Sequence, residues 1–262
     1  MTNFHLWLDF ETTGLDPRLD TILEAAWTIT DEDLEMRTPL QSRLCVIDPP
    51  AVSRKNNGFN VGDRQDANEG DWAKLHPVVQ EMHEKSGLRA ALEFANADPV
   101  ESLRMLTTAR DLERLIREDL ANVGYDRFED RLILSGAGVS HFDDRVLAVH
   151  LPGMFPPEGD GSSGYAYWRH DVSIAKRVLG PSWDALRDAA LEEPKTSSLY
   201  AYEKPPRIGT KLFPHLMLSL GNQEFAFNQA ALIGHRAADD VIAALVDGRV
   251  LRDAARLFAE VS

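Results

Sequence analysis

Two acidic residues lie within an apolar run near the N-terminus. The segment LWLDFETTGLD, residues 6–16, carries Asp9 and Glu11 two positions apart. On a β-strand both side chains would project from one face, about 7 Å apart along the chain. Burying a bare carboxylate is costly, and a hard divalent cation offsets that cost because it prefers oxygen ligands. The pair indicates a platform for Mg²⁺ or Mn²⁺; the alternative is two acids at the exposed end of a strand.

Two other segments carry acids and a histidine that could complete such a platform. SHFDDRVL lies in the middle of the chain and GHRAADD near its end. Carboxylate pairs that meet at one cation can activate water, and a histidine can accept its proton near neutral pH. The candidates in these segments are His141, Asp143, Asp144, His235, Asp239 and Asp240.

Helix geometry limits how His235 can take part. Five residues on one helix rotate His235 about 140° away from Asp240, so the two could not face one site. We therefore expect His235 in the loop before the last helices, where Gly234 would allow it to move. Asp239 and Asp240 both fall on the polar side of an apolar helical stripe, so geometry does not choose between them.

The periodicity predicts a mixed α/β chain. Residues 4–10, 22–30 and 41–47 are interpreted as a three-stranded meander, with Gly14 giving backbone freedom and close ligand approach just after the first strand. Residues 48–72 and 191–226 have few periodic signals and are interpreted as excursions. The remaining elements are a helix at 100–122, a strand from 131, helices from 142 and from 171, and two closing helices at 236–247 and 249–260.

Composition favours one large domain. The 262 residues are 44% hydrophobic, enough for a single core spanning 1–262. Cys45 has no cysteine to pair with, and no apolar run is long enough for a membrane helix, so we expect a cytoplasmic protein without a membrane partner. The net charge of −14 disfavours wrapping of duplex DNA but permits contact with a short single-stranded end.

The three acidic motifs, in their order, resemble those of the DEDD exonuclease superfamily in its histidine-bearing branch. DFETTGL, FDDRVL and HRAADD carry the resemblance, and MHEKSGL and DVSIAKRVL extend it toward the oligoribonucleases. The resemblance implies a ribonuclease H-like mixed sheet flanked by helices. Relative to that family, 91 residues between Asp143 and His235 indicate loop insertions, placed near 48–72, 152–168 and 191–226.

The resemblance also implies roles for individual residues. It makes Asp9, Glu11, Asp143 and Asp240 the ligands of two Mg²⁺ or Mn²⁺ ions and His235 the general base. The spacing of the family motifs favours Asp143 over Asp144 and Asp240 over Asp239, although either neighbour could replace the preferred ligand. The reaction implied is hydrolysis of phosphodiester bonds at 3′ ends, which releases nucleoside 5′-monophosphates.

The substrate that the resemblance implies is a short or single-stranded oligonucleotide. Its terminal nucleotide would lie against the turn after the first motif, and the matching residues are Thr12, Thr13, Gly14, Leu15 and Ser86. Leu15 could equally be a core residue and Ser86 a helix cap. A DNA-trimming exonuclease and a catalytically silent nucleic-acid clamp stay as alternatives, and the insertions leave the homodimer of oligoribonucleases open.

Overall fold

A six-stranded mixed sheet lies at the centre of the computed structural model, which describes residues 1–45, 72, 75–97, 105–154, 168–192 and 236–261. The strands are β1 (Asn3–Thr12), β2 (Ile22–Thr30), β3 (Gln41–Cys45), β4 (Leu106–Thr107), β5 (Arg131–Gly136) and β6 (His170–Asp171). Strands β1, β2 and β3 pair antiparallel, whereas β5 pairs parallel to β1 and β6 parallel to β5. The order across the sheet is β4-β3-β2-β1-β5-β6.

Helices cover both faces of this sheet. The α-helices given for the described part of the chain are α1 (Pro77–Lys85), α2 (Leu88–Ala97), α3 (Ala109–Asn122), α4 (Asp143–His150), α5 (Val172–Leu179), α6 (Ser182–Glu192) and α7 (Ala237–Val261). Within the described ranges, none of the helices has the length and apolar character to cross a membrane.

The predicted mixed sheet flanked by helices is confirmed, as is the opening meander. The predicted excursions near 48–72, 152–168 and 191–226 lie almost entirely outside the described residues. The single-domain interpretation of 1–262 accordingly stays a prediction.

Strand β1 separates two layers of core because its side chains alternate. Its even-numbered residues pack in one cluster with α3 and α4; these are Phe4, Leu6, Leu8 and Phe10. On the other face, Trp7 packs against α7 through Val241 and Leu245. Asp9 and Glu11 have the parity of Trp7, so they lie on the face that α7 covers.

In its described part, residues 105–122, the predicted helix at 100–122 is interrupted by a short strand. Leu106 pairs with Leu44 as part of β4, and α3 begins at Ala109. Thr108 caps the helix: its Oγ1 accepts a hydrogen bond from the Asp111 amide at 3.1 Å and donates one to the Asp111 carboxylate at 2.8 Å. A capping side chain satisfies an amide that no helical carbonyl reaches, and this fixes the start of the helix at this residue.

The two closing helices predicted at 236–247 and 249–260 form one helix of 25 residues, α7. Gly248 separates the two predicted helices, but it lies within the observed one. A β-carbon at Gly248 would lie 2.4 Å from Cη2 of the Trp7 ring. Glycine here is therefore explained by the close approach of the helix to β1, not by a turn.

Replacing Gly248 with alanine is expected to destabilise the protein by about 1–3 kcal/mol, since the indole is fully buried and the helix must shift. Urea unfolding would measure the loss. Ala255→Gly, at an exposed position of the same helix, isolates helix propensity and should cost about 1 kcal/mol. A gain in stability from Gly248→Ala would mean that propensity outweighs the clash with Trp7.

A half-buried histidine pair, His5 and His170, predicts sensitivity to acid. Burial, reinforced by the neighbouring His170, lowers the pKa of His5 to about 3. Below about pH 6.5 the unfolded chain therefore binds a proton at His5 that the folded protein does not bind, so acid favours unfolding. The free energy of unfolding is not reduced by this group above about pH 6.5, and it falls progressively toward pH 3. His5→Gln should reduce the loss of urea stability between pH 7 and pH 4; equal losses in the two proteins would contradict the prediction.

Candidate metal centre

Three carboxylates from two distant parts of the chain meet at the end of β1. One oxygen each from Asp9, Glu11 and Asp240 lies within 4.8 Å of the others. Asp9 and Glu11 come from one strand face, and Asp240 from the first turn of α7, which crosses that face. Glu11 is only 6% exposed, whereas Asp9 and Asp240 are partly exposed. The group is thus held by the fold and open on one side.

Asp143 lies beside this group at the start of α4. Its side chain is buried, and its Oδ1 accepts a hydrogen bond from the backbone amide of Phe10 at 3.0 Å. That bond places the Asp143 carboxylate next to Asp9, whose pKa it helps to raise. The structure therefore brings all four acids that the family motifs indicated to one end of β1, and their assignment as ligands stays a prediction.

The ionisation of these acids shows how closely their charges lie. Burial first, and then the charges of Asp143, Asp240 and Glu11, raise the pKa of Asp9 well above its usual value. Burial followed by the charges of Glu24 and Asp240 raises the pKa of Glu11 to about 8. Burial raises the pKa of Asp143 to about 7. Such a set is short of positive charge, which is the condition that a divalent cation relieves.

The two alternative acids make different contacts. Asp144 accepts from Nη2 of Arg169 at 3.0 and 3.1 Å, so its charge is paired away from β1. Asp239 is outside the three-oxygen group, and burial raises its pKa to about 6 while Arg236 opposes the rise. Successive helical residues point about 100° apart, so the packing of each helix turns one member of each pair toward β1.

The turn after β1 is held rigidly by Asp20. Its Oδ1 accepts from Thr13 Oγ1 at 2.9 Å and its Oδ2 from the Asp16 amide at 2.8 Å. Thr12 Oγ1 donates to the carbonyl of Gly14 at 2.6 Å. Leu15 is 79% exposed, which rules out the core-packing alternative for this side chain.

Of the two reasons predicted for Gly14, backbone freedom does not hold, and close approach of a ligand stays a prediction. Its φ is not among the positive glycine values, so conformational freedom does not account for it. A β-carbon would lie 2.6 Å from Oδ2 of Asp20. The small residue therefore makes room for the carboxylate that organises the turn.

Ser86 is placed as a cap between α1 and α2, the alternative to a substrate contact. It is fully buried; its Oγ donates to the carbonyl of His83 at 3.3 Å and accepts from the Leu88 amide at 3.4 Å. A buried hydroxyl with both contacts inside the turn has no surface to offer a nucleotide.

His83 is a neighbour of the acids that the sequence did not single out. It is fully buried, its Nε2 donates to the carbonyl of Thr12 at 2.8 Å, and its Nδ1 lies 3.7 Å from Oε2 of Glu11. The only signal was its place in MHEKSGL, which matched a family segment without indicating a role. It fixes α1 against the end of β1.

His235, the predicted general base, lies outside the described residues. The first described residue after it is Arg236, whose side chain binds Glu24. Of the segment that carries His235, the described structure therefore includes only Arg236, the residue through which that segment joins α7.

Comparisons with known proteins found solved structures only. No protein-family model matches the chain, and no curated protein matches it significantly. A structure of E. coli Exonuclease I in complex with a 5cy-dT13 oligonucleotide is 16% identical, with a TM-score of 0.49, over 97% of this chain and 41% of that one. An Exonuclease I from Methylocaldum szegediense is 19% identical, with a TM-score of 0.43, over 95% of this chain and 40% of that one. The chain thus spans less than half the length of these proteins.

Proposed function

We propose that this protein is a divalent-metal-dependent 3′–5′ exonuclease that acts on single-stranded or short oligonucleotides and releases nucleoside 5′-monophosphates. The observation that carries the proposal is the group of Asp9, Glu11 and Asp240 oxygens within 4.8 Å of one another. Its members come from the first and third of the acidic motifs that resemble those of DEDD exonucleases, and Asp143 of the second motif lies beside Asp9.

The residues present fit a pair of divalent cations. Four acids can balance four positive charges, and hard oxygen donors suit Mg²⁺ or Mn²⁺. Bound cations would supply a nucleophilic water at neutral pH and neutralise the departing 3′ oxygen. His235 would accept the proton of that water, as a histidine with an ordinary pKa can at neutral pH.

The turn that Asp20 organises would receive the 3′-terminal nucleotide. Thr12 and Thr13 directly follow Glu11 in the chain, and exposed Leu15 offers an apolar surface to a base. Because both threonine hydroxyls already bond within the turn, their main role would be to hold its shape.

The test is degradation of three 5′-labelled substrates: an RNA dinucleotide, a longer RNA and single-stranded DNA. We expect products shortened from the 3′ end with Mg²⁺ or Mn²⁺ and none with EDTA. The preferred substrate would separate an oligoribonuclease-like enzyme from a DNA-trimming one. Absence of cleavage at any metal concentration would reject the enzyme and leave a silent nucleic-acid clamp, which retained oligonucleotide binding would identify.

His235→Ala should lose most of the rate while keeping Mn²⁺ binding, because a base contributes typically about 10²–10⁴-fold and is not a ligand in this scheme. Comparison of the pH–rate profiles of the two proteins measures this role. An unchanged profile in the variant would exclude His235 as the base.

A further inference from the structure

A fifth acid, Glu24, lies against the candidate metal centre without joining it. Glu24 on β2 is the cross-strand partner of Glu11 on β1, and its side chain is only 1% exposed. Like charges directly opposite each other on two strands destabilise a sheet, and burial increases that effect. Retention of both acids therefore requires that one of them be neutralised within the protein.

Arg236 supplies the neutralising charge. Its Nε donates to Oε2 of Glu24 at 2.8 Å and its Nη2 to Oε1 at 2.7 Å, which is a bidentate pair with the arginine only 13% exposed. Ser42 Oγ and the amide of Ala237 complete the set, at 3.0 and 3.2 Å. Four donors on two oxygens commit Glu24 to protein partners, which explains why it is outside the metal-ligating group.

The ionisation of the two opposed glutamates agrees with this division. Burial alone would raise the pKa of Glu24, but the charge and hydrogen bonds of Arg236 lower it overall. For Glu11, burial and the charge of Glu24 dominate and raise the pKa to about 8. One glutamate is held as an anion by the protein, while the other still lacks a compensating cation.

Arg236 also immediately precedes α7, the helix that carries Asp240. Its carbonyl accepts hydrogen bonds from the amides of Asp239 at 2.9 Å and Asp240 at 3.1 Å. The residue whose side chain is fixed to β2 is thus the residue on which the first turn of α7 is built. Asp240 is connected to the strands through one turn of helix and one ion pair.

We propose that Glu24 and Arg236 are positioning residues whose bidentate pair fixes the first turn of α7 on β2, so that Asp240 lies opposite Asp9 and Glu11 at the spacing a divalent cation needs. This inference rests on the proposed function for its biological use, but cation binding tests it independently of any activity. A pair that only contributed to stability would change unfolding without changing affinity for the cation.

The experiment measures Mn²⁺ affinity by calorimetric titration of the metal alone into the full chain. Glu24→Gln and Arg236→Lys should each weaken binding about tenfold or more, the scale typical of groups that orient metal ligands. Arg236→Lys keeps the charge but cannot form the two-pronged contact, so it separates geometry from charge. The double variant should bind Mn²⁺ with an affinity no lower than that of the single variant with the lower affinity, because both changes break the same ion pair.

Asp247→Asn is the matched control. Asp247 is a buried carboxylate on the same helix, bound to Lys176 at 2.7 Å, and belongs to no part of the proposed site. It should lower the melting temperature and leave Mn²⁺ affinity at the wild-type value. Circular dichroism would verify folding, and should Glu24→Gln fail to fold, the milder Arg236→Lys decides the question.

Wild-type Mn²⁺ affinity in both Glu24→Gln and Arg236→Lys would overturn the proposal, as would equal weakening in Asp247→Asn. Activity adds a second readout: saturating Mn²⁺ should restore part of the lost kcat while KM for the oligonucleotide stays near the wild-type value. If the wild-type chain degrades no nucleic acid, the exonuclease proposal fails and the binding data still judge the ion pair.

Discussion

Asp240→Asn is expected to reduce nucleic-acid hydrolysis by about 10³-fold or more while the protein stays folded. Cations at such a site contribute several kcal/mol of charge stabilisation in the transition state, and each factor of ten in rate corresponds to about 1.4 kcal/mol. Removing the carboxylate that α7 contributes to the three-oxygen group should forfeit most of that contribution. Initial rates on a 5′-labelled oligonucleotide with Mg²⁺ and with Mn²⁺ measure the loss.

Asp253→Asn makes the same chemical change on the same helix, at a carboxylate that binds Arg252. Asp253 lies outside the proposed metal centre, and surface substitutions usually change stability little. The variant should therefore keep its rate within a factor of about two of the wild type. Asp9→Asn should match Asp240→Asn, because both oxygens belong to one group. Retained activity in either variant would remove the metal centre from this site.

Glu11→Gln is expected to stabilise the metal-free protein and to abolish its stabilisation by Mn²⁺. The raised pKa of Glu11, about 8, and of Asp143, about 7, mean that the folded protein holds protons that the unfolded chain has released. The stability these groups contribute is complete below about pH 4 and is lost as pH rises through 7 and 8. An uncharged glutamine in place of Glu11 removes much of that loss, so in EDTA at pH 8 the variant should unfold at higher urea than the wild type.

The effect of Glu11→Gln on stability reverses when the cation is present. Binding to the folded state alone stabilises by about 2.7 kcal/mol at a concentration of 100 times Kd. Wild type should gain this amount with Mn²⁺ at pH 8 and less at pH 5, where protons compete with the cation. Glu11→Gln should gain little at either pH, and Glu118→Gln, exposed on α3, should behave as wild type. A Glu11→Gln variant with the wild-type response to Mn²⁺ would contradict a metal role for this group.

Local patterns predict most of the elements that build the sheet. The second strand is predicted at its observed bounds, Ile22–Thr30, because β-branched and apolar residues dominate it; in the structure all nine of its side chains are buried. The helices that begin near 142 and 171 are also predicted from their sequence patterns, and the structure shows that Asp171 caps the second of them. These features depend on neighbours within a few residues, which a single sequence displays directly.

Where a residue's environment comes from distant segments, local patterns mislead. Leu106 carries a helical apolar pattern yet pairs with Leu44, and Gly248 resembles a helix break yet makes room for Trp7. Both are decided by contacts across the sheet that outweigh local propensity. His83 and the Glu24–Arg236 pair belong to the same class, because their importance lies in what they touch.

The sequence by itself determined which carboxylates could hold a cation, since motif spacing and the polarity of the acids are local properties. For each pair of adjacent acids, geometry inferred from the sequence left open which of the two faces the site. Only the tertiary structure decided that Asp240 approaches Asp9 and Glu11 while Asp144 turns to Arg169. The physical reason is that α7 is seated on β1 and β2 by a buried ion pair and by apolar packing, and a helix seated at one rotation can direct only one of two successive side chains toward the strand.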